Sequence, residues 1–511
     1  MDIAVSVLSI ADICIKYGTI LVKVCKSYRS GDQEIREIIL KIEAHWLRIQ
    51  RQLEFLRKIW ASLDEDYQIH LNTVLQVLQV KAMAATSLVD GLIGQAEDEV
   101  SSRSIIAKKG NTKRARYAIL VKEKLNDALN DLKDWKDLFD PSWILIIRQS
   151  DQAIDHELNP VDGSESTSLL TLKELRKAIK STITTQADAE STTVFVESNS
   201  FEQDSIDLEY SSLVVWRDVQ GLSTYVADPP NDTTSLASIC KLAKILKNVE
   251  PAQFGILQCH GVSRRDLHIV SEKESSLTRF IFSIPDHLTK PQSLRKLVLS
   301  EIGNRPLDER FILARQLAKA VMFVHSAGFV HKNIRPETIL VLRDQHQDPN
   351  AFLTGFKSFR LEEGRTLLRG DDFWEFNLYR HPTRQGMHPE ESYSMQHDIY
   401  SLGVCLLEIG IAGSLVLYET EKVAKPSPII AALFSYHTKD TRKNAFELKR
   451  ALVKLAEDLL PSKMGRKYTE TVVTCLTCLD KSDNAFGLES EFLDENGLLV
   501  GVRFIEKVST A

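Results

Sequence analysis

The run HSAGFVHKNIRPETIL, from His325 to Leu340, gathers an imidazole, an amide, a guanidinium and a hydroxyl: His331, Asn333, Arg335 and Thr338. A carboxylate in such a run would serve as a general base, worth about 10²–10⁴-fold in rate, whereas the amide of Asn333 takes up no proton at neutral pH. Farther on, AFLTGFKSF carries Gly355 and Phe356. Gly355 offers no side-chain oxygen to a hard cation, which prefers carboxylate ligands, and the Thr338 hydroxyl is a poor substitute. Cys475 and Cys478 form a C-x-x-C pair. A zinc site would need a second pair or nearby histidines, and on a helix this spacing puts two small apolar residues on one face, so both are expected in the core. No metal site is expected. The cysteines number seven and are scattered, which speaks against a disulfide framework and for an intracellular home.

These residues need elements to hold them. Asp308–His325 has the spacing of a helix, with Leu313, Leu317, Val321 and Val324 on its core face. HDIYSLGVCLLEIG, His397 to Gly410, is an apolar helix that begins with the acid Asp398. Upstream, Leu213–Arg217 reads as a strand, and Leu236–Lys247 as a helix with Lys241, Lys244 and Lys247 but no acid. No G-x-G-x-x-G occurs between His156 and Leu257, so no glycine loop is available to cover phosphates. Asp371 and Asp372 follow the GFK run and read as a solvated surface.

The N-terminal third has a different texture. Ile35, Ile39, Ile42, Trp46, Ile49, Leu53, Leu56 and Trp60 recur in steps of four and three, the stripe of a long bundled helix, and Asp32 stands where an N-cap belongs. A second stretch carries Leu71, Val74, Leu75 and Leu78. A third carries Leu125, Leu129, Leu132 and Trp135 and is expected to break at Asp140-Pro141. Such helices pack as an antiparallel bundle. The opening MDIAVSVLSIADICIKYGTILVKVC is apolar but lacks a basic leader, and Asp12, Lys16 and Lys23 interrupt it. A charge at mid-bilayer costs about 2.5–3.5 kcal/mol on insertion scales, so this helix reads as buried, or as meeting lipid conditionally through residues such as Leu8. Lys108, Lys109, Lys113, Arg114 and Arg116 form a basic patch, and each cation near an anionic membrane is worth about 1 kcal/mol. A Ser/Thr-rich stretch, 156–205, reads as a polar linker with a short helix at Leu169–Leu175. Across 511 residues the net charge is -6, which gives no reason to expect nucleic acid.

The C-terminal motifs resemble those of protein kinases. In that family the loop reads H-R-D-L-K-P-E-N-I-L. His331, Pro336, Glu337, Ile339 and Leu340 match it, while Asn333 stands at the catalytic Asp, Arg335 at the loop Lys and Thr338 at the metal-binding Asn. Phe356 falls on the phenylalanine of D-F-G, with Gly355 at the metal-binding Asp and Lys357 at the glycine. Asp398 matches the buried acid that braces the loop, and Arg217 falls near the position of the phosphate-binding lysine. Phosphoryl transfer needs both the metal ligands and the base. The resemblance therefore implies a kinase fold without enzyme activity, a pseudokinase, with no cofactor and ATP as the alternative.

Residues 1–155 resemble the HeLo-like domain of fungal heterokaryon-incompatibility and prion-inhibition proteins, through the apolar first helix, the long second helix and KRARYAILVKEKLNDALNDLKDWKDLF, Lys113 to Phe139. AEDLLPSKMGRKYTETVVTCLTCLD, Ala456 to Asp480, is similar to the C-terminal lobe of the kinase-like proteins that follow such modules. The expected architecture is an α+β multidomain chain: an all-α helical bundle at 1–155, the linker, and a bilobal kinase-like fold at 206–511, divided near residue 290. The resemblances imply a regulator of a membrane-disrupting cell-death module. Self-association through the bundle and anionic lipids are its expected partners, and its expected location is cytoplasmic with conditional plasma-membrane association. An atypical active kinase and a non-membrane scaffold are the alternatives.

Overall fold

The computed structural model describes residues 3–27, 32–101, 110–149, 151–158, 167–184, 194–196, 205–217, 223–229, 234–267, 275–300, 302–361, 370–420, 423–434 and 441–480. The chain divides into two compact units, Met1–Lys173 and Glu174–Ala511. The fold is α+β multidomain, with helices alone in the described part of the first unit and a sheet in the second.

In the first unit α1 (Ile3–Ser27), α2 (Gln33–Ile59), α3 (Glu65–Ser101) and α4 (Gly110–Ile144) pack together, and α5 (Gln152–Glu157) lies against α2. Asp32 caps α2 by accepting from the Glu34 N–H at 2.9 Å. The buried face of α2 comprises Ile35, Ile38, Ile42, Trp46, Ile49, Leu53, Leu56 and their neighbours, with Ile38 in place of Ile39. Close approach of α1 depends on Gly18: a Cβ there would lie 2.1 Å from the Trp46 ring. Cys14 Sγ reaches Leu75 O at 3.6 Å and Thr86 Oγ1 donates to Tyr17 O at 3.1 Å, which fastens α1 to α3. Among the described residues no helix is long and apolar enough to cross a membrane.

Pro141 does not end the third stretch. Helix α4 runs through it to Ile144 because Trp135, Phe139 and Trp143 recur every four residues on a buried face, with Trp135 stacked on Phe139 at 4.5 Å and Phe55 against Trp143 at 5.6 Å. Burial of each large apolar side chain contributes about 1.5–3 kcal/mol, enough together to carry a proline in the last helical turn. Lys108 and Lys109 lie outside the described residues. Leu8, Lys113, Arg114 and Arg116 fall on α1 and α4, where only their backbone is described.

The linker expectation is also corrected. Helix α6 spans Thr167–Thr184, well past Leu169–Leu175, and buries Leu172, Leu175, Arg176, Ala178 and Ile179. Strand β1 (Phe195–Val196) then pairs in parallel with β5 (Cys259–Leu267), so Phe195 and Val196 belong to the sheet, and Val194 beside them is buried. Gly261 permits this: a Cβ there would meet Val196 Cγ1 at 2.6 Å.

The strands β2 (Ile206–Asp207), β3 (Val214–Arg217), β4 (Thr224–Ala227) and β6 (Ser275–Ser283) complete a six-stranded sheet of order β1-β5-β6-β4-β3-β2. Helices α7 (Leu236–Leu246) and α8 (Pro251–Phe254) connect β4 to β5. The remainder is mainly helical. Strand β7 (Thr289–Ser293) leads into α9 (Leu294–Ser300) and α10 (Leu307–Ser326), and β8 (Phe329–Val330) precedes the loop. Strands β9 (Ile339–Arg343) and β10 (Pro349–Leu353) form a hairpin beside β7, and β11 (Arg360–Leu361) pairs with β8. The chain ends through α11 (Trp374–Asn377), α12 (Met395–Ile411), β12 (Val416–Thr420), β13 (Val423–Pro426), α13 (Pro428–Phe434), α14 (Thr441–Met464) and α15 (Arg466–Thr477). Cys475 and Cys478 are buried, as their helical spacing implies.

Candidate functional site

The loop after β8 is shaped by one acid. Asp398, fully buried in the first turn of α12, accepts from the backbone N–H of His331 at 2.7 Å and of Lys332 at 2.9 Å, and from the Tyr393 hydroxyl at 2.8 Å. His325 Nε2 lies 3.1 Å from it. Burial pushes this carboxyl up, but the bond with His325 and the neighbouring His331 hold it below the usual range. Lys332 adopts a left-handed φ of 66°, a conformation an L side chain keeps only when its surroundings impose it. Its amine is pushed down to about 8 by burial, then by Arg384 and Arg360.

His331, Asn333, Arg335, Thr338, Gly355, Phe356 and Asp398 come together, and the polar side chains of the loop bond mostly within it. His331 Nε2 sits 3.0 Å from Thr354 O, and burial lowers the ring to about 4. Asn333 Nδ2 donates to Gly355 O at 3.1 Å, while its Oδ1 accepts from Arg335 Nε at 3.2 Å. Thr338 Oγ1 donates toward Asn333 O at 2.7 Å. Arg335 lies over the Phe376 ring at 3.8 Å. Gly355 has φ +81°, and a Cβ there would stand 2.6 Å from Thr338 Cγ2, so any side chain at this position strains the turn. Phe356 is buried among Phe280, Phe282, Phe359 and His331.

A second buried system lies behind the loop. Arg295 on α9 donates to Glu337 at 2.8 Å and to Glu408 at 2.7 Å, and also meets Ser414 and Tyr379. Burial raises Glu337, but Arg295 and Arg335 prevail and hold its carboxyl below the usual range.

One expectation requires correction. Arg217 is not brought to this site: it stands exposed on β3, opposite Thr224 at the start of β4. The strand that leads toward α7 is β4, and it runs into Asp228. Sequence reasoning missed Asp228. It is fully buried and accepts from the N–H of Gly355 at 2.8 Å and of Phe356 at 2.6 Å. The one signal was its place, an acid directly after the apolar TYVA run. Asp371 is taken up by Arg380 at 2.9 Å. Among the described residues no group of acids, histidines or cysteines is placed to hold a metal ion.

No known family model matches the chain, and the resemblance to HeLo-like domains draws no support from that comparison. A stretch of 110 residues, 21% of the chain, is 27% identical to mitogen-activated protein kinase mpkC of Aspergillus niger and covers 25% of that protein. A stretch of 98 residues, 18% of the chain, is 31% identical to eukaryotic translation initiation factor 2-alpha kinase 3 of Rattus norvegicus and covers 9% of it. These similarities overturn the expectation that the chain is not an enzyme: both relatives are kinases, and matches this short give no ground for inactivity. Taken with the braced loop, they fit a kinase-like domain.

Proposed function

We propose that the chain is a kinase-like regulator of its own helical unit, an effector of the cell-death or incompatibility type that self-associates and meets anionic lipid. One observation carries this reading: the loop, the Gly355 turn and Asp398 are bonded into one system that couples α12 to the sheet, as a conformational relay requires. The helical side is supported by α1, whose seat on Trp46 depends on a single glycine. Valine at position 18 would drive its side chain into that ring, an overpacking that costs about 1–3 kcal/mol or more. The test is dye leakage from vesicles rich in phosphatidylserine, using the full chain. Gly18→Val is expected to raise leakage several-fold over wild type. If acidic vesicles stay sealed with both proteins at every concentration, the scaffold alternative takes its place.

A second reading, phosphate transfer from ATP, is favoured by the similarity to two kinases, with Asp228 positioning the Gly355 turn. Incubation of the full chain with radiolabelled ATP and magnesium is expected, on this reading, to label generic substrates, with the label lost in Asp228→Asn. Absence of label from folded wild-type protein would sink it.

A further inference from the structure

Asp228 is an acid whose bonds are made by backbone alone. Its own N–H donates to Phe280 O on β6 at 2.9 Å, and its two carboxylate oxygens take the N–H groups of Gly355 and Phe356. One residue thus ties the sheet to a turn more than a hundred positions away. The turn carries Phe356 into the aromatic cluster, where the His331 ring approaches it at 4.7 Å. Movement of the turn therefore withdraws the ring from both the sheet side and the loop side of the cluster.

We propose that Asp228 is the positioning residue of this site, a latch whose engagement sets the Gly355–Phe356 turn and whose release frees that turn from the sheet. The electrostatics give the latch a direction. Burial raises the carboxyl to about 7, against the two N–H bonds that favour its charged form. The groups around it are neutral or removed. Cys259 on β5 is a thiol raised to about 12 by burial, and His331 beyond the Phe356 ring is lowered to about 4. Lys247, just past α7, acts on Cys259 and His260, and Lys357 on the turn is exposed. On release, a hydrated carboxyl returns to about 3.9. The engaged form therefore holds the proton more tightly, so engagement is fully favoured below about 4 and is lost as pH rises through about 7. Between pH 6 and pH 8 the ratio of released to engaged turn should rise about tenfold.

The test is amide hydrogen exchange on the full chain at pH 6, 7 and 8, corrected for the intrinsic base-catalysed rate. Gly355 and Phe356 are expected to show about a tenfold excess of opening over this range, with none at Val341–Arg343 of β9 and none at the turn in Asp228→Asn. A flat wild-type response, an equal response throughout the unit, or an excess that persists in the folded Asn variant overturns the proposal. Should that variant not fold, the wild-type series decides alone, since an excess confined to the turn supports the latch and a flat or uniform one refutes it.

Discussion

Arg295→Met is expected to lower the unfolding free energy of the C-terminal unit by about 3–5 kcal/mol at pH 7, because it strands two buried carboxylates. In the native protein the guanidinium is fully buried and serves Glu337 and Glu408 together. Glu408 keeps bonds from the Leu415 N–H at 2.7 Å and the Tyr379 hydroxyl at 2.8 Å, but neither neutralises it. The pH dependence distinguishes lost charge from lost packing. Arg295 and Arg335 hold the Glu337 carboxyl low, so its contribution is present above the unfolded value of about 4.3 and fades as pH falls through the lower folded value. Without Arg295 that carboxyl moves up, and the deficit of the variant should shrink on acidification below about pH 5. Urea unfolding at pH 7 and pH 4.5 measures both. A deficit under about 1 kcal/mol, or one unchanged with pH, would mean that the ion system contributes little beyond its volume.

Asp398→Ala is the second large effect, expected at about 3–5 kcal/mol through the orphaning of several buried donors at about 1–3 kcal/mol each. The His331 and Lys332 N–H groups and the Tyr393 hydroxyl lose their acceptor at once. The left-handed Lys332 loses the bond that holds it, so loop exchange should rise more than that of α12. Since the folded carboxyl lies below its ordinary value, its stabilising contribution stands above about pH 3.9 and declines as pH drops through the folded value. Thermal unfolding between pH 3 and pH 7 should therefore show wild type and variant converging at the acid end. Parallel curves would refute the bracing role.

Much of this was legible in the sequence because it rests on short-range pattern. The stripe of α2, its Asp32 cap, the loop residues and Asp398 are each fixed by spacing or by neighbours in the chain. What was not legible depends on contacts made far away. Pro141 reads as a breaker until the Trp135–Phe139–Trp143 face is seen buried. Val194–Val196 reads as linker until β5 offers an edge and Gly261 the room. Arg217 was nominated one strand too early, since a strand of four residues carries no mark of its place in a sheet. Asp228 was passed over because an acid after a strand ordinarily faces water.

The cysteines turn this architecture into its own set of reporters. None of the seven is in a disulfide and all are buried, and burial raises Cys14, Cys25 and Cys259 to about 12, so at neutral pH a maleimide finds almost no thiolate in the native state. Any labelling must follow an opening. Modification of Cys14 and Cys25 would time the lifting of the first helix, and modification of Cys259 would time disturbance of the strand that faces Asp228. A single mass-spectrometric experiment on unmodified protein then reads both units of the chain.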